Sequence, residues 1–453
     1  MIKRITLFCC IAALIPFFSA AQTYKAKPFL GSKTLYQSQQ LKYTAPPTGY
    51  VPVFINHAGR HGSRHLTKAV ESTSAYKLLL QADSLNGLTA AGKSLKEKVL
   101  RLKIVEDPSL KFISIRGGEE QKGLADRTFG NYKNVFNTPN LAIHFAYTSE
   151  IRTRQTADSF LTELKTKLNR PVAIDSQLND TILRFYDNWS PNYGHYKDSG
   201  TWRQKSLPQL KTVVNYANLT DSLTKLFFTV SFWKNSVAKQ KDKFTSDLFG
   251  FITIFYSIQA EIIDSGYTLT DVYMQQFLHD KQLSALGIID NAEEYFEKGP
   301  GDTLNGIQVK IAMPLLADFI TTTDEYIKNK AVNAQLRFCH AETIAPYASL
   351  LGLTGANEVA KKPTAIHDAW KSEKVIPLSS NIQWIFYKKK GSEDYLVKFL
   401  LNEKEVAAKV EGLTTTIFPY YHWNDVRRCY LAKMAKYRVN LKTDWVQYLQ
   451  GLQ

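Results

Sequence analysis

The stretch FINHAGRHGSRHL, residues 54–66, joins an apolar run to a cluster of arginines and histidines around Gly62. The apolar residues that lead into it predict a short buried strand. A glycine-containing segment after such a strand often opens into a helix whose free N–H groups attract an anion. Arg60 and Arg64 flank His61, and guanidinium groups bind phosphate oxygens in pairs. A basic cluster usually covers a solvated face of a protein. Because this cluster directly follows a buried strand, the stretch instead predicts a phosphate site at the end of that strand.

Two further charged segments follow apolar runs in the same way. LRFCHAETIAPYASLLGL, residues 336–353, has His340 and Glu342 between a strand-like run and a helix-like apolar pattern. YTSEIRTRQTADSF, residues 147–160, has Arg152 between a strand-like run and a helix. Because the carboxyl ends of neighbouring strands form the ligand crevice of an open α/β sheet, we expect the three segments to face one pocket. Taken singly, the histidine and acid are more often a structural pair, and the arginine a surface residue.

Strand-like runs alternate with helix-like stretches along most of the chain. This alternation predicts an α/β fold with a mixed, mostly parallel sheet flanked by helices. Residues 192–306 have helical periodicity and little strand character, which predicts an inserted, mainly helical domain between two parts of the α/β core, residues 46–191 and 307–440. The strand-like runs are VPVFIN, LAIHFAYTS, LRFCHAE, IQWIFYKK and YLVKFLLNEKEV, and YKKKGSEDY between the last two predicts a hairpin turn.

The composition indicates a folded, basic protein. The chain has 453 residues, of which 44% are hydrophobic, and its formal net charge is +16 at pH 7. Such a charge predicts acidic ligands. We do not expect nucleic acid among them, because zinc-finger, RNA-recognition and basic-zipper patterns are missing from the sequence. Beyond the N-terminal segment the cysteines are Cys339 and Cys429, which either form one disulfide or remain buried free thiols.

The N-terminal sequence MIKRITLFCCIAALIPFFSAAQ has the layout of a secretory signal peptide, residues 1–21. Lys3 and Arg4 precede an apolar run, and small residues follow it, so we expect cleavage after Ala21. The run is too short to span a bilayer, and stable membrane insertion is not expected. Cys9 and Cys10 come before most of the run, which disfavours a lipoprotein. The expected location is the periplasm or the outside of the cell, with outer-membrane association as the alternative.

The motifs together resemble those of a known family. GRHGSR with the distant CHAET resembles the signature of the histidine acid phosphatases, in which Arg-His-Gly-x-Arg is paired with a later His-Asp or His-Ala-Glu. The His-Ala-Glu-Thr form is similar to the multiple inositol polyphosphate phosphatase branch, which includes bacterial secreted phytases. Further similar segments between Pro52 and Asp425 are EEQKGLADR, LRFYD, LLNEKEV and PYYHWNDV. The resemblance implies an α/β domain with an inserted helical domain.

The resemblance also implies roles for the charged residues. His61 would be the nucleophile that becomes a phosphohistidine, and Glu342 would be the proton donor. His340 would act with them and would also belong to the phosphate clamp. The residues of that clamp would be Arg60, Arg64, Arg152 and His340. No metal or other cofactor is implied, because fixed cations can neutralise the charge that Mg²⁺ neutralises in other phosphoryl-transfer enzymes.

Three neighbouring residues are candidates for further substrate contacts. Lys68, His65 and Arg154 lie close in sequence to the clamp, although a solvent-exposed or packing role is more common for such residues. The family often has a proline where this chain has Leu66, a difference that removes no charged group.

The expected function is a phosphomonoesterase that removes phosphates stepwise from phytate and other inositol polyphosphates. Its partners would be these small molecules, and the protein is expected to be a monomer. One alternative is an acid or sugar-phosphate phosphatase of broad specificity. A mutase of the related branch is disfavoured by the export signal. The other alternative is a polyanion-binding protein without catalytic activity, which would have little reason to keep both His61 and Glu342.

Overall fold

One sheet forms the centre of the protein. The structure is a computed structural model that describes residues 27–37 and 42–453, and the predicted signal peptide lies outside these residues. The strands are β1 Tyr50–Arg60, β2 Ala142–Tyr147, β3 Ala173–Leu178, β4 Ala334–Cys339, β5 Asn381–Lys389, β6 Tyr395–Leu401, β7 Lys404–Val406 and β8 Tyr420–His422.

The sheet has a parallel half and an antiparallel half. Its order is β3-β2-β4-β1-β5-β6-β7, and β8 pairs with β6. The first four strands are parallel to one another, and β5 to β8 pair antiparallel. The α/β class with a mixed sheet is thus confirmed. Strand β3 was not predicted from the sequence, because its mostly exposed residues lack an apolar pattern.

The described helices surround this sheet. They are α1 Ser74–Ser84, α2 Ala90–Glu106, α3 Ile115–Asn131, α4 Lys133–Phe136, α5 Ile151–Leu168, α6 Asp180–Leu183, α7 Pro191–Ser199, α8 Thr201–Gln204, α9 Ser206–Val213, α10 Tyr216–Phe227, α11 Val230–Phe232, α12 Lys241–Ile254, α13 Gln259–Asp264, α14 Leu269–Val272, α15 Asp280–Lys298, α16 Ile307–Lys310, α17 Met313–Asn329, α18 Ala341–Leu350, α19 Ile366–Ala369, α20 Ser372–Val375, α21 Trp423–Lys436 and α22 Trp445–Gly451. Helices α3, α4 and α5 pack on one face of the sheet, and α17, α18 and α21 pack on the other.

Strand β1 is buried on both faces, which explains its continuous apolar run. Phe54 stacks on Tyr326 of α17, with ring centroids 4.4 Å apart, in the core on one side. Its neighbour Ile55 lies in the core on the other side, among residues of α3, α4 and α5. Successive side chains of a strand point to opposite faces, so both cores fix the register of β1. This register determines where the basic cluster at the end of β1 lies.

Residues 192–306 contain helices and no strand, and the structure describes all of them. Helices α1 and α2, which the sequence places in the first part of the core, pack against this helical segment. For example, the Thr89 N–H donates to the Phe227 carbonyl at 3.0 Å, and Leu88 forms a bridge with Phe228. The helices that pack together here therefore come from both sides of the predicted domain boundary at residue 192.

Residues 28–33, which precede the predicted start of the core at residue 46, also join the folded core. The short 3₁₀ helix Pro28–Lys33 packs against α15, and Leu30 is buried. Cys339 and Cys429 are buried free thiols, which decides between the two predicted states. None of the helices in the described ranges combines the length and apolarity that a bilayer span requires.

Candidate active site

Three parallel strands bring the predicted charged segments to one edge of the sheet. Arg60 at the end of β1 pairs with Cys339 at the end of β4. One residue further, the His61 N–H donates to the Cys339 carbonyl at 2.9 Å. This register sets the His61 and His340 rings side by side, with centroids 5.6 Å apart and an interplanar angle of 68°. Strand β2, on the other side of β4, leads into α5 and Arg152.

His61 is held in a form that can act as a nucleophile. Its Nδ1 lies 2.9 Å from the Gly62 carbonyl oxygen, which can only accept, so Nδ1 carries the proton and Nε2 has a free lone pair. Burial lowers the pKa of His61 well below its ordinary value, and the charges of Arg60, Arg152 and Arg64 lower it further. The imidazole is therefore neutral, as an attacking nitrogen requires.

Two glycines allow helix α3 to approach the loop after His61. A Cβ atom on Gly62 would lie 2.6 Å from the Gly117 carbonyl oxygen, and one on Gly117 would lie 2.1 Å from the Ser63 carbonyl oxygen. The close approach lets Glu120 of α3 accept hydrogen bonds from the Ser63 N–H at 3.0 Å and from its hydroxyl at 2.7 Å. The buried carboxylate thus fixes the loop that carries His61.

Three arginines converge on this loop with donors to spare. Arg60 donates through Nη1 to the carbonyls of Ser32 and Ile376, both at 2.5 Å. Arg64 donates to the His65 carbonyl at 2.8 Å, and Arg152 donates to Glu150. The Nε atoms of all three arginines are buried and have no hydrogen-bond partner in the described residues.

The electrostatics of the cluster favour an anion. Burial lowers the pKa of Arg64 to about 10, and the charges of Arg60 and Arg152 contribute to the shift. Like charges this close repel one another in a desolvated site. A phosphate group would relieve the repulsion and accept from the free Nε donors.

His340 is buried, and the protein engages both of its ring nitrogens. Its Nε2 lies 2.9 Å from the Thr148 hydroxyl, and its Nδ1 lies 3.3 Å from Nη2 of Arg152. Because the guanidinium can only donate, Nδ1 accepts and Nε2 carries the proton. His340 therefore orients Arg152 in this structure, rather than presenting a free nitrogen to a phosphate.

Glu342 lies in the first turn of α18, and its side chain is 32% exposed. Its Oε1 accepts from Lys298 Nζ at 3.3 Å. Burial by itself raises the pKa of Glu342, but Lys298, His340, a backbone N–H and Arg60 outweigh burial and lower the pKa well below its ordinary value. The unliganded site thus holds Glu342 as a carboxylate.

Lys298, the last residue of α15, contacts Glu342 and was not among the residues predicted from the sequence. A lysine in the last turn of a helix is ordinarily explained by the helix dipole, so its position carried no signal.

The structure separates the three predicted peripheral contacts. Lys68 lines the cleft at the site. His65 does not, because its buried ring lies between Glu106 Oε1 at 3.5 Å and Glu261 Oε1 at 3.7 Å. Arg154 pairs with Asp158 and lies over the Tyr147 ring on the outer side of α5. Neither His65 nor Arg154 lines this cleft, and their role as substrate contacts stays a prediction.

The cleft beside the arginines has about 780 Å³ of empty space, part of it open to solvent. Four cationic residues line it: Lys33, Arg60, Arg64 and Lys68. Another wall comes from α12 and Ser257, and among the described residues Asp247 is its one charged lining residue. That carboxylate accepts from the Ala75 N–H at 3.1 Å, at the start of α1. Within the described ranges, no three His, Cys, Asp or Glu side chains converge as metal ligands would.

Comparisons with known proteins agree with this arrangement. The family model of the histidine phosphatase superfamily (branch 2) matches residues 58–402. The multiple inositol polyphosphate phosphatase of Bifidobacterium longum, solved in complex with inositol hexasulfate, is 19% identical with a TM-score of 0.79, and the alignment covers 90% of this chain and 98% of that one. The phytase from D. castellii is 14% identical with a TM-score of 0.61, covering 94% and 88%.

At such identities the two solved structures show a shared fold. No curated protein sequence matches the chain. The family match, in contrast, spans well over half of the chain and includes the cluster at the end of β1 and the segment after β4. The chain belongs to branch 2 of the histidine phosphatase superfamily.

Proposed function

We propose that this protein is a phosphomonoesterase that removes phosphates stepwise from phytate and other inositol polyphosphates through a phosphohistidine at His61. The observation that carries the proposal is the environment of His61: a neutral ring with a free Nε2, next to three arginines with unpaired buried donors. A residue pattern of this kind serves phosphoryl transfer, which depends on positioning and charge neutralisation.

The reaction has two steps with Glu342 acting in both. In the first step, Nε2 of His61 attacks phosphorus, the bond from phosphorus to the alcohol oxygen breaks, and that oxygen takes a proton from Glu342. In the second step, the Glu342 carboxylate takes a proton from water, the water oxygen attacks phosphorus, and the bond to His61 breaks. The proton that Glu342 took from water passes to the inorganic phosphate as it leaves, so His61 and Glu342 return to their initial states.

The proton of the first step arrives with the substrate. Glu342 is ionised in the unliganded site, because Lys298 and His340 favour its charged form over the effect of burial. A phosphomonoester has a second pKa of about 6, so below that pH it binds as a monoanion that carries one proton. Negative charge bound next to Glu342 raises the pKa of its carboxyl group, and the proton moves there. The arginines then hold a phosphate dianion.

The charge of the cleft supports an inositol polyphosphate as the substrate. Lys33 and Lys68 add to the arginines at the same cleft and can meet further phosphate groups of one molecule. The strongly basic chain also attracts polyanions over longer distances. The Bifidobacterium longum relative binds inositol hexasulfate, an analogue of such a substrate.

The wall formed by α12, in which Asp247 is acidic and the other lining residues are uncharged, supports a second candidate, a phosphatase of broad specificity. Helix α12 contributes Ser246, Gly250, Phe251 and Thr253 to the cleft, and none of them carries a charge. A ring with hydroxyl groups in place of phosphates, or a sugar phosphate, fits such a wall as well as phytate does. Relative kcat/KM values for phytate and glucose 6-phosphate distinguish the two candidates.

The organisation around the site belongs to the same proposal. We infer that residues 192–306 form a helical domain inserted between core parts 46–191 and 307–440, supported by the lack of strands in that segment and by α12 in the cleft wall. We also infer export with cleavage after Ala21, supported by the sequence of residues 1–21. A monomer is expected.

The proposal is tested by release of inorganic phosphate from phytate by the purified mature protein in EDTA. His61→Ala should abolish the release, and Glu342→Gln should reduce it by about 10²-fold or more. Asp158→Asn is the matched control, since that carboxylate lies on the outer side of α5 with Arg154. If wild type and His61→Ala release the same amount from phytate and from simple esters, the catalytic proposal is refuted and polyanion binding takes its place. Chromatography of the product isomers reports which phosphate leaves first.

A further inference from the structure

Lys298 is a buried lysine that contacts three carboxylates. Its Nζ lies 2.8 Å from Glu294 Oε2, 3.3 Å from Glu342 Oε1 and 3.9 Å from Glu297 Oε1. The lysine side chain is 6% exposed, and Glu342 is 44 residues away in sequence. A buried ammonium group is costly unless it is paired, so this contact set is specific.

The same contacts continue to the phosphate-binding arginine on the other side of the site. Ser32 donates from its hydroxyl to Glu294 Oε1 at 2.9 Å, and its carbonyl accepts from Arg60 at 2.5 Å. A continuous path therefore runs from Arg60 through Ser32, Glu294 and Lys298 to Glu342. Glu294 contacts Ser32 through Oε1 and Lys298 through Oε2, so both of its carboxylate oxygens belong to the path.

This path sets the distance between the group that would grip the phosphate and the group that would give the proton. General acid catalysis needs the acid within hydrogen-bond reach of the leaving oxygen, and a misplacement of about 1 Å can cost about 10²-fold in rate. Glu342 is partly exposed and lies in the first turn of a helix, so its side chain needs a partner to stay in one rotamer. Lys298 is the one salt-bridge partner of Glu342 in the described residues.

We propose, resting on the function proposed above, that Lys298 is a positioning residue for proton transfer: it holds the Glu342 carboxylate at the site and ties it, through Glu294 and Ser32, to Arg60. Lys298 itself touches neither the phosphate nor the leaving group. The helical segment thus contributes to the chemistry through the end of α15, in addition to forming the cleft wall.

The test uses two leaving groups, because only one of them needs the acid. Glycerol 2-phosphate leaves as an alkoxide and requires a proton, whereas p-nitrophenyl phosphate leaves as a stable anion without one. The readout is the ratio of kcat/KM for the aryl ester to kcat/KM for the alkyl ester, since kcat/KM reports the steps up to transfer onto His61. A variant damaged only in structure loses both values by the same factor and keeps the ratio.

The variants are Lys298→Met, Lys298→Arg and, as the matched control, Lys281→Met, which removes an exposed lysine from the same helix. We expect Lys298→Met to lower kcat/KM for glycerol 2-phosphate by about 10- to 100-fold and to leave p-nitrophenyl phosphate within about threefold. Lys298→Arg keeps the charge and should restore the ratio, and Lys281→Met should not change it. In a Glu342→Gln background, Lys298→Met should add no further change, because both act on one group.

An unchanged ratio in a folded Lys298→Met protein refutes the proposal, and so does a Lys298→Arg protein whose ratio equals that of Lys298→Met. Folding is checked by circular dichroism. If Lys298→Met does not fold, Lys298→Gln replaces it, because the neutral amide of glutamine can still donate to Glu294. The ratio of kcat/KM for the aryl ester to kcat/KM for the alkyl ester then tests the proposal in the same way. Failure of the proposed function is distinct: the wild-type protein then releases no phosphate from either ester or from phytate.

Discussion

The best-defined perturbation in this structure is deprotonation of His65, four residues after His61 in the chain. Its ring is buried between Glu106 of α2 and Glu261 of α13. Burial alone lowers the pKa of His65, but the two carboxylates outweigh burial and raise the pKa from 6.5 to about 9. Since the folded pKa is raised, the ion pairs contribute their full stability below pH 6.5 and lose it as the pH rises through 9.

The size of the effect follows from the shift. At 1.36 kcal/mol per pKa unit, a rise from 6.5 to about 9 corresponds to about 3 kcal/mol of unfolding free energy. The 3.5 and 3.7 Å contacts are longer than strong hydrogen bonds, so we expect about 2 kcal/mol of this in practice. That amount is a large part of the stability of a typical protein.

Urea unfolding of wild type and His65→Gln at pH 6, 7.5 and 9.5 measures this contribution. The difference in unfolding free energy between the two proteins should shrink by about 2 kcal/mol from pH 6 to pH 9.5. Other titrating groups cancel in the difference. His195→Gln, which removes an exposed histidine from α7, is measured alongside as the control. A His65→Gln difference that does not vary with pH would show that the pKa of His65 is not raised in the folded protein and would refute the reasoning.

Three further predictions concern the site itself. Gly62→Ala should lower kcat by about 100-fold and destabilise the protein by about 1–3 kcal/mol, because the new Cβ would lie 2.6 Å from the Gly117 carbonyl oxygen. Phosphate release measures the first effect and urea unfolding measures the second. A Gly62→Ala protein as active as wild type would contradict the predicted clash. Thr148→Val should cost about 1–3 kcal/mol of stability, because the buried Nε2–H of His340 loses its partner, and an unchanged urea midpoint counts against that hydrogen bond. EDTA should leave phosphate release unchanged, since arginines supply the positive charge, and activity restored only by an added divalent metal would disprove this.

Several features of the fold could be predicted because they depend on local patterns. The apolar run before Arg60, the similar runs before Arg152 and His340, and the helical periodicity of residues 192–306 are all readable along the chain. Because parallel strands end at one edge of the sheet, the same patterns also predict that these charged segments meet. Strand β3 escaped prediction, because an exposed edge strand with polar residues has no apolar alternation.

The sequence by itself determined the fold class, the family and the residues that could carry phosphoryl transfer, since each of these has a motif or a period. Only the tertiary structure decided which neighbours control them. Lys298 reaches Glu342 across 44 residues, and Ser32 reaches Glu294 across 262 residues. The same holds for His65, which looks like a substrate contact in the sequence but pairs with Glu106 and Glu261. Such contacts arise from packing between distant elements, so no local pattern encodes them.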